Sequence, residues 1–508
     1  MVAKVLSGAL NGVEGQGILV EVDMVASMPA FDIVGLPDSA VKESKERVRT
    51  ALRNSHISLP PRRITVNLAP ADIRKEGPAY DLPIALGILA CCGEIPLESL
   101  DGVFVAGELS LDGDIRPVSG LLPMVHHGYL EGVHRCIVPF ANAGEAALVE
   151  GLEVIVPANL GELIKHLKGV RKLEPYKPQP EGDAVARVEE MLDFADVRGQ
   201  ESVKRALKIA AAGGHNILLI GPPGSGKTML ARRLPGVLGG LSFEESMDVT
   251  KVYSVAGMIQ DKGHLMKDRP FRSPHHTASY ASLVGGGKTP KPGEVSLAHN
   301  GVLFLDELPE FQRNVLEVLR QPLEDGQVTI SRATSTITYP CNFMLVASMN
   351  PCPCGHFGEG DKCSCTERVV SKYLDKISGP LLDRIDIHVE ASRVNYEDFE
   401  QARGESTADI KEAVAKAAAV QSQRYKNENI SQNANLSGGL IDKYCPLDEE
   451  CKAFVKKIYD SMGLSARGYH KILKIARTVA DLEGCEHINA GHIAEAVQYR
   501  SLDRKYWS

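Results

Sequence analysis

The chain has 508 residues, a length that corresponds to about three or four domains. Hydrophobic residues make up 44% and charged residues 24%, as in ordinary folded proteins. The formal net charge of −8 excludes a uniformly basic coat for nucleic acid but allows local basic surfaces. The chain has no apolar run long enough to span a membrane and no signal-peptide pattern, so we expect a cytoplasmic protein without membrane contact. The eleven cysteines are then expected to be free thiols or metal ligands rather than disulfides.

Residues 1–170 predict one α/β domain. Alternating apolar residues predict strands at 18–25 and 63–68, and helical spacing predicts a helix at 39–54. The mostly apolar segment 81–92 predicts a buried helix.

The predicted helix at 39–54 has a basic face. Spacings of three and four residues align its basic side chains: Lys42, Lys45, Arg49 and Arg53. Arg47 lies on the same helix. This face either binds DNA phosphates or is an ordinary solvated surface, because Glu43 and Glu46 are interleaved with it.

Two segments of this domain, KEGPAYDLPIALGIL at 75–89 and AGELSLDGDIRPVSGLLP at 106–123, resemble the proteolytic domain of Lon-type proteases. In that family a nucleophilic serine follows Gly-Pro and a lysine base follows Gly-Leu. Here Ala79 and Leu122 stand at those positions. The resemblance therefore implies a Lon-like fold, of the ribosomal S5 domain 2 type, without peptide hydrolysis.

Residues 171–187 are rich in proline and charge and lack hydrophobic periodicity, which predicts a linker. A second α/β domain is predicted at 188–394. The remainder, 395–508, predicts a helical lid. The lid helices are predicted at 407–426, 442–462, 466–483 and 490–500.

The segment NILLIGPPGSGKTMLARRL at 216–234 contains a P-loop between an apolar strand and a helix. The loop residues are Gly221, Pro222, Pro223, Gly224, Ser225, Gly226, Lys227 and Thr228. Glycines let backbone N–H groups surround phosphate oxygens, Lys227 supplies a mobile positive charge and Thr228 binds Mg²⁺. A Gly/Pro-rich surface turn would need neither the strand nor the helix. We therefore predict a site for ATP and Mg²⁺.

A long insertion at about 255–300 contains the pair His275 and His276 and a flexible basic stretch with Lys288 and Lys291. The two histidines either bind a metal or are hydrogen-bonded structural residues.

A second chemical landmark is GVLFLDELPEF at 301–311. Four apolar residues predict a buried parallel strand that ends in Asp306 and Glu307, where doubly wound sheets bind ligands. We expect Asp306 to hold Mg²⁺ through water. Glu307 is expected to orient the water that attacks the γ-phosphate and to accept its proton.

Residues 327–339 alternate in β fashion and predict a hairpin that contains Arg332. Both insertions resemble those of AAA+ proteins with inserted hairpins, such as magnesium chelatase ATPase subunits, MoxR-type ATPases and MCM helicases. In a ring such hairpins face the central pore. The resemblance makes Lys288, Lys291 and Arg332 candidates for contacting a DNA backbone without reading its sequence.

A buried strand predicted at 343–348 precedes Asn350, which resembles the residue that positions the attacking water in AAA+ proteins. Four cysteines follow it: Cys352, Cys354, Cys363 and Cys365. Two C-x-C pairs with glycines between them can surround one tetrahedral Zn²⁺ that braces the loop beside Asn350. The alternative is four free buried thiols.

Two arginines resemble nucleotide-sensing residues of AAA+ proteins. In GPLLDRIDIHVE at 379–390, Arg384 stands where related ATPases have an arginine finger that reaches the nucleotide of a neighbouring subunit. The alternative is an ion pair with Asp383 or Asp386. Arg467, near the start of a predicted lid helix, resembles the second sensing arginine, which the lid places over the ATP.

Together the Lon-like domain, the AAA+ core and the lid resemble the YifB/ComM family of magnesium-chelatase-like ATPases over nearly the whole chain. The discriminating segments are SPHHTAS at 273–279 and the four cysteines. The resemblance implies a homo-hexamer that translocates single-stranded or branched DNA and drives branch migration during natural transformation. The competing classes are an AAA+ chaperone that remodels proteins and a metal-insertion ATPase. An ATP-dependent protease lacks its nucleophile.

Overall fold

The computed structural model describes residues 2–178, 192–259, 263–287, 290–332, 335–358, 362–393, 396–400 and 404–507. The chain forms two compact units, Met1–Ala184 with Ser246–Met266, and Val185–Glu245 with Lys267–Ser508. The last part of the predicted linker at 171–187 lies outside the described residues. Among the described residues no helix combines the length and the apolar character that crossing a bilayer requires.

The first unit is built from nine strands and five helices before residue 179. Its strands are β1 (Val2–Asn11), β2 (Glu14–Val25), β3 (Ala30–Val34), β4 (Arg63–Ala69), β5 (Val103–Val105), β6 (Glu108–Leu109), β7 (Ile115–Arg116), β8 (Arg135–Ile137) and β9 (Glu153–Ile155). Its helices are α1 (Ser39–Asn54), α2 (Asp81–Cys91), α3 (Leu121–Leu130), α4 (Ala143–Ala146) and α5 (Leu160–Leu167).

The predicted ATPase core follows. Its strands are β10 (Ile217–Ile220), β11 (Phe271–Arg272), β12 (Gly285–Gly286), β13 (Lys291–Pro292), β14 (Val302–Leu305), β15 (Gln327–Arg332), β16 (Ser335–Pro340), β17 (Met344–Met349) and β18 (Ile387–Glu390). Helices up to residue 400 are α6 (Glu201–Gly213), α7 (Lys227–Ala231), α8 (Leu234–Val237), α9 (Phe243–Ala256), α10 (Tyr280–Val284), α11 (Glu294–Leu297), α12 (Arg313–Glu317), α13 (Arg320–Asp325), α14 (Glu367–Leu374), α15 (Gly379–Leu382) and α16 (Tyr396–Glu400). The later helices are α17 (Thr407–Arg424), α18 (Gly439–Tyr444), α19 (Glu449–Met462), α20 (Ala466–Leu482), α21 (Ala490–Gln498) and α22 (Leu502–Trp507).

A seven-stranded mixed sheet with the order β3-β4-β2-β1-β5-β8-β9 organises the first unit. Strand β1 pairs antiparallel with β2 and parallel with β5. From Ile18 to Met24 alternate residues of β2 are buried, as the predicted strand pattern requires. Helix α2 is buried along nearly its whole length against β1 and β2 because it has no polar face. The predicted α/β fold of this region is confirmed.

One ion pair joins α1 to α2. Arg47 Nε donates to Asp81 Oδ2 at 2.7 Å and Arg47 Nη2 donates to Oδ1 at 3.0 Å. Asp81 is fully buried, and the Leu109 N–H also donates to it at 3.2 Å. Arg47 therefore pairs with a buried carboxylate and is not part of the exposed basic face. The residues of that face are exposed: Lys42, Lys45, Arg49 and Arg53.

Residues 246–266 belong to the first unit, whereas the sequence placed them in the ATPase core. Met247 packs in the same apolar cluster as Leu122. The Ser254 hydroxyl donates to the buried carboxylate of Glu145, which also accepts the Leu122 N–H at 3.1 Å. A buried carboxylate needs such donors, so this segment completes the interior of the unit.

The second unit contains a five-stranded sheet with the order β11-β14-β17-β10-β18, in which all neighbouring strands are parallel. Strands β10, β14 and β17 are completely buried, which explains their apolar sequences. Residues that follow these strands lie along one edge of the sheet, here called the carboxyl edge. Residues that precede them lie along the opposite, amino edge. The predicted parallel α/β core is confirmed by this sheet.

The lid differs from the prediction in one helix that is broken and in the short helices α16 and α22, which were not predicted. The expected helix at 442–462 is divided into α18 and α19. Pro446 cannot continue a helix, and the Asp448 side chain caps α19 by accepting the Cys451 N–H at 2.7 Å. The lid is therefore helical as expected, with a break at a proline and a new N-cap.

We expect Arg47→Met to destabilise α2 by about 3 kcal/mol, because Asp81 would stay buried without its cationic partner. Hydrogen exchange of peptides from α2 in the full-length chain measures this loss as faster exchange. Lys45→Met removes an exposed cation from the same helix and is the control. Equal protection in the two variants would show that the buried ion pair contributes nothing.

Candidate nucleotide-hydrolysis site

The phosphate-binding loop follows β10 at the carboxyl edge. Gly224 and Gly226 have φ angles of 77° and 84°, which glycine adopts without strain because it has no Cβ. Helix α7 begins directly at Lys227. The predicted order of strand, loop and helix is therefore present.

Lys227 is held by its own loop. Its Nζ donates to the Gly221 carbonyl at 2.7 Å and to the Pro222 carbonyl at 2.8 Å, and it lies 3.3 Å from Asn350 Oδ1. Burial lowers the pKa of Lys227 to about 8, and two nearby carboxylates offset part of this effect. A phosphate is a stronger acceptor than a carbonyl, so these are contacts that a triphosphate can replace.

Asp306 connects the P-loop helix to the neighbouring strand. Thr228 Oγ1 donates to Asp306 Oδ2 at 2.8 Å, and the Ser348 hydroxyl donates to Oδ1. A hydroxyl and a carboxylate are the oxygen ligands that Mg²⁺ takes together with water and substrate phosphates. The structure thus brings together the two predicted magnesium residues. Ser348 was not predicted, and its signal was a polar residue near the carboxyl end of the apolar strand β17.

Glu307 leaves β14 in a left-handed backbone conformation, with a φ of 53°. Its N–H donates to Asp306 Oδ1 at 3.1 Å, while 55% of its side chain is exposed. The conformation turns the chain sharply at the end of the strand. The carboxylate is thus beside the magnesium residue and open to water, as a general base requires.

His276 contacts Glu307, which the sequence interpretation missed. Its Nδ1 lies 3.4 Å from Glu307 Oε2, and its ring lies 4.1 Å from the His275 ring. His275 Nδ1 lies 2.9 Å from the Thr277 hydroxyl, and no metal-ligating group in the described residues includes either histidine. The hydrogen-bonded alternative therefore fits better. The contact follows from the strand order. Strands β11 and β14 are parallel neighbours, and His276 lies after β11 whereas Glu307 lies directly after β14.

Arg384 lies at the amino edge. Its carbonyl accepts a hydrogen bond at 2.9 Å from Asn216, the residue just before β10. Its guanidinium binds the Glu324 carboxylate, and Nε donates to the Arg320 carbonyl at 3.2 Å. An intrachain ion pair therefore exists, but its partner is neither of the two aspartates expected from the sequence.

Arg467 also lies at the amino edge, where its Nη1 is 4.0 Å from Asp383 Oδ2. Arg384 and Arg467 line one cavity of about 1170 Å³, and no P-loop residue lines it. The sequence interpretation placed Arg467 on the lid, over the ATP. In the structure it lies with Arg384 at the amino edge.

The four clustered cysteines come together. Their Sγ atoms all lie within 4.8 Å of one another. Cys352 Sγ is 3.3 Å from Cys354 Sγ and 3.9 Å from Cys363 Sγ, and the latter two are 3.7 Å apart. Four sulfurs at about 2.3 Å from a tetrahedral Zn²⁺ lie about 3.8 Å from each other. The donor set and the spacing therefore fit Zn²⁺, with Cys365 as the fourth ligand.

The predicted DNA-contacting residues are only partly described. Lys291 is exposed at the start of β13, and Arg332 ends β15, with only its backbone described. Lys288 lies outside the described residues. Strands β15 and β16 form the predicted hairpin, and the Tyr339 hydroxyl of β16 donates to the Pro290 carbonyl at 2.8 Å. The two insertions therefore touch each other.

Comparisons with known proteins give one consistent family. Family models described as "Magnesium chelatase, subunit ChlI", "Subunit ChlI of Mg-chelatase" and "Magnesium chelatase, subunit ChlI C-terminal" match residues 193–399, 20–142 and 404–500. Competence protein ComM of Haemophilus influenzae is 42% identical over 508 residues, which cover 99% of this chain and 98% of the relative. A YifB protein of Escherichia coli is 43% identical over 500 residues, which cover 98% and 96%. The chain belongs to the YifB/ComM family of magnesium-chelatase-like AAA+ ATPases.

Membership of the YifB/ComM family makes the chain an AAA+ ATPase, a class that uses ATP and Mg²⁺. A shorter similarity, 29% identity over 131 residues, relates 25% of this chain to 23% of Lon protease 2 of Bacillus subtilis. Ala79 and Leu122 are both buried. Neither side chain offers a nucleophile or a base, so this YifB/ComM chain resembles Lon in fold and not in these two residues.

We expect the affinity of this YifB/ComM ATPase for MgATP to be full below a pH of about 8 and to fall above it. The pKa of Lys227 in the free protein is about 8, so its ammonium is lost as the pH rises, and bound phosphate would restore the proton. Titration calorimetry near this pH, in two buffers with different ionisation enthalpies, should show proton uptake on binding. Lys291→Ala, at an exposed lysine outside the P-loop, should keep that uptake. Affinity that does not change with pH would contradict the assignment.

Proposed function

We propose that this ATPase is a homo-hexameric motor on DNA that acts in the cytoplasm and drives branch migration during natural transformation. The main support is the placement of its catalytic parts on opposite edges of one sheet. Further support comes from the competence protein among its full-length relatives and from its inserted hairpins. Cytoplasmic action agrees with the eleven cysteines, none of which forms a disulfide in the described structure.

The arrangement of the P-loop and Arg384 supports a site completed by a second copy of the chain. The P-loop follows β10, whereas Arg384 is bonded to Asn216, the residue that precedes this strand. The four residues of β10 span about 13 Å, so the length of this strand separates Arg384 from the P-loop of its own chain. An arginine finger that serves a neighbouring site has no such barrier and contributes about 10³ or more in rate.

Arg384 and Arg467 act together in this proposal. Lys471 of α20 and Arg500 both donate to the Ile385 carbonyl at 2.9 Å, just after Arg384. His215, which is fully buried, bridges Asp386 at 3.0 Å and Thr478 of α20 at 2.8 Å. These bonds join the lid helix to the start of β18. Both guanidiniums therefore approach the neighbour's triphosphate as one rigid surface.

The DNA assignment is supported by the two inserted hairpins. The hydrogen bond from Tyr339 to Pro290 places them side by side, and Gly285 approaches Ile330 so closely that an added Cβ would lie 3.0 Å from its Cδ1. In a ring, the exposed Lys291 would contact phosphates by charge alone. Lys288 and Arg332 are assigned the same role.

We also propose that Cys352, Cys354, Cys363 and Cys365 hold one structural Zn²⁺. Four thiolates leave no open coordination position, which is the pattern of a structural rather than a catalytic site. The ion would bind the two C-x-C pairs to each other beside Asn350.

A second candidate function is an ATPase that remodels a protein or inserts a metal ion. The observation that favours it is the match to family models named for magnesium chelatase over residues 193–399. It uses the same nucleotide site and the same ring. The two candidates differ only in what the hairpins contact.

We expect Arg384→Ala to bind ATP normally but to hydrolyse it at least about 10³-fold more slowly. Mixing it with Lys227→Ala subunits should restore activity, because a P-loop from one variant then meets the arginine of the other. ATP binding and steady-state hydrolysis of the separate and mixed proteins measure this. Arg313→Ala, at an exposed arginine of α12, is the control. Failure of the mixture to recover would mean that Arg384 only pairs with Glu324.

We expect forked DNA to raise the ATPase rate, with an effect that falls steeply as salt increases. Lys291→Glu should weaken this stimulation and leave the DNA-free rate unchanged, since the exposed Lys291 side chain takes no part in the hydrogen bonds of Lys227, Thr228 and Asp306. Lys456→Glu makes the same charge change at an exposed position of the lid and is the control. ATPase rates with and without DNA, over a salt series, decide the matter. Indifference to DNA would overturn the DNA assignment and favour the second candidate.

A further inference from the structure

We infer that the four-cysteine segment forms a wall of the phosphate-binding loop, so that the Zn²⁺ held by these cysteines sets the affinity for nucleotide. This inference rests on the proposed zinc site and on the ATPase activity of the family. It assigns the cysteines a role in nucleotide binding beyond that of bracing their own loop.

The first link runs through Asn350. This residue precedes Cys352 by two positions, and its Oδ1 lies 3.3 Å from Lys227 Nζ. Cys352 itself is fully buried, in contrast to the other three cysteines, which are half-buried. The buried end of the cluster is therefore the end that approaches the P-loop lysine.

The second link is a packing contact at Gly355, the residue after Cys354. A Cβ added to Gly355 would lie 2.4 Å from Cδ and 2.8 Å from Cγ of Pro223. Pro223 is the third residue of the P-loop. Only a glycine lets the backbone approach the Pro223 ring this closely, and Gly355 also has a left-handed φ of 82°.

The turn that presents Gly355 depends on the cysteines at its ends. Its described backbone hydrogen bond runs from the Gly355 N–H to the Cys352 carbonyl at 2.9 Å. Bonds from Cys352 and Cys354 to a metal shared with Cys363 and Cys365 would tie this turn to the segment that leads into α14. Without the metal, the four clustered thiols lose the ion that holds them together. The wall against Pro223 would then loosen.

The same wall touches residues that hold the phosphates of any bound nucleotide. We therefore expect loss of the metal to weaken ATP and ADP alike. An effect confined to the rate of hydrolysis is not expected from this contact.

A pair of glycine variants separates the packing contact from backbone strain. Gly355→Ala introduces the clash with Pro223, whereas Gly358→Ala has a similar φ of 87° but meets nothing within 4 Å. Both variants retain the four cysteines. We expect Gly355→Ala to keep its zinc and to bind a fluorescent ATP analogue about tenfold more weakly, and Gly358→Ala to match the wild type in both respects. Unchanged affinity in Gly355→Ala, whatever its zinc content, would overturn the inference.

Removal of the metal tests whether the bound Zn²⁺ controls the affinity for nucleotide. Elemental analysis of the full-length chain should find one zinc per copy, and Cys365→Ser should lose it, while Cys92→Ser, a half-buried cysteine outside the cluster, should not. The zinc-free variant should bind the same ATP analogue about tenfold more weakly. A wild type without zinc would refute the zinc site. A zinc-free Cys365→Ser with normal nucleotide affinity would refute only the inferred control of the P-loop, and absent ATP hydrolysis in a protein that binds nucleotide would count against the ATPase assignment instead.

Discussion

The parallel alignment of β14, β17 and β10 is the constraint on which the rest of this ATPase depends. Because the three strands run in the same direction, their carboxyl ends place Asp306, Ser348 and the P-loop on one edge of the sheet. The amino ends place Arg384 on the other. In the proposed ring, the arginine and the phosphate loop of one nucleotide site therefore come from two different copies of the chain.

A site residue could be predicted from the sequence when its role depends on residues close to it in the chain. The P-loop, Asp306 and Glu307 were predicted because each depends on a short segment whose strand and helix neighbours are visible in the same few residues. Ser348 and His276 were missed because their roles depend on which strand lies next to which. Strand order is a property of long-range pairing, and one sequence shows it only weakly. The pairing of Arg384 with Glu324 was missed for the same reason.

In the N-terminal unit the apolar pattern predicted the strands and the buried helix correctly, but the position of one basic side chain was not predicted. The alternating strands and the buried helix α2 follow directly from the apolar pattern. Arg47, however, lies among the basic residues of α1 in sequence and turns inward to Asp81 in the structure. A buried carboxylate is destabilising unless a cation pairs with it, and the sequence alone does not reveal that Asp81 is buried. Ala79 and Leu122, in turn, show how a domain can keep the interior of a hydrolase without its reactive groups.

The carbonyl of Ile385 has a consequence for where this protein can bend. It accepts hydrogen bonds from Lys471 and Arg500, both in buried surroundings, beside the buried bridge that His215 makes. A hinge between lid and core would have to break several of these enclosed polar bonds at once, each at a cost of about 1 to 3 kcal/mol. In the proposed ring, strain released by nucleotide turnover would therefore be relieved by rotation of one copy against the next, and the lid would move together with the core of its own chain.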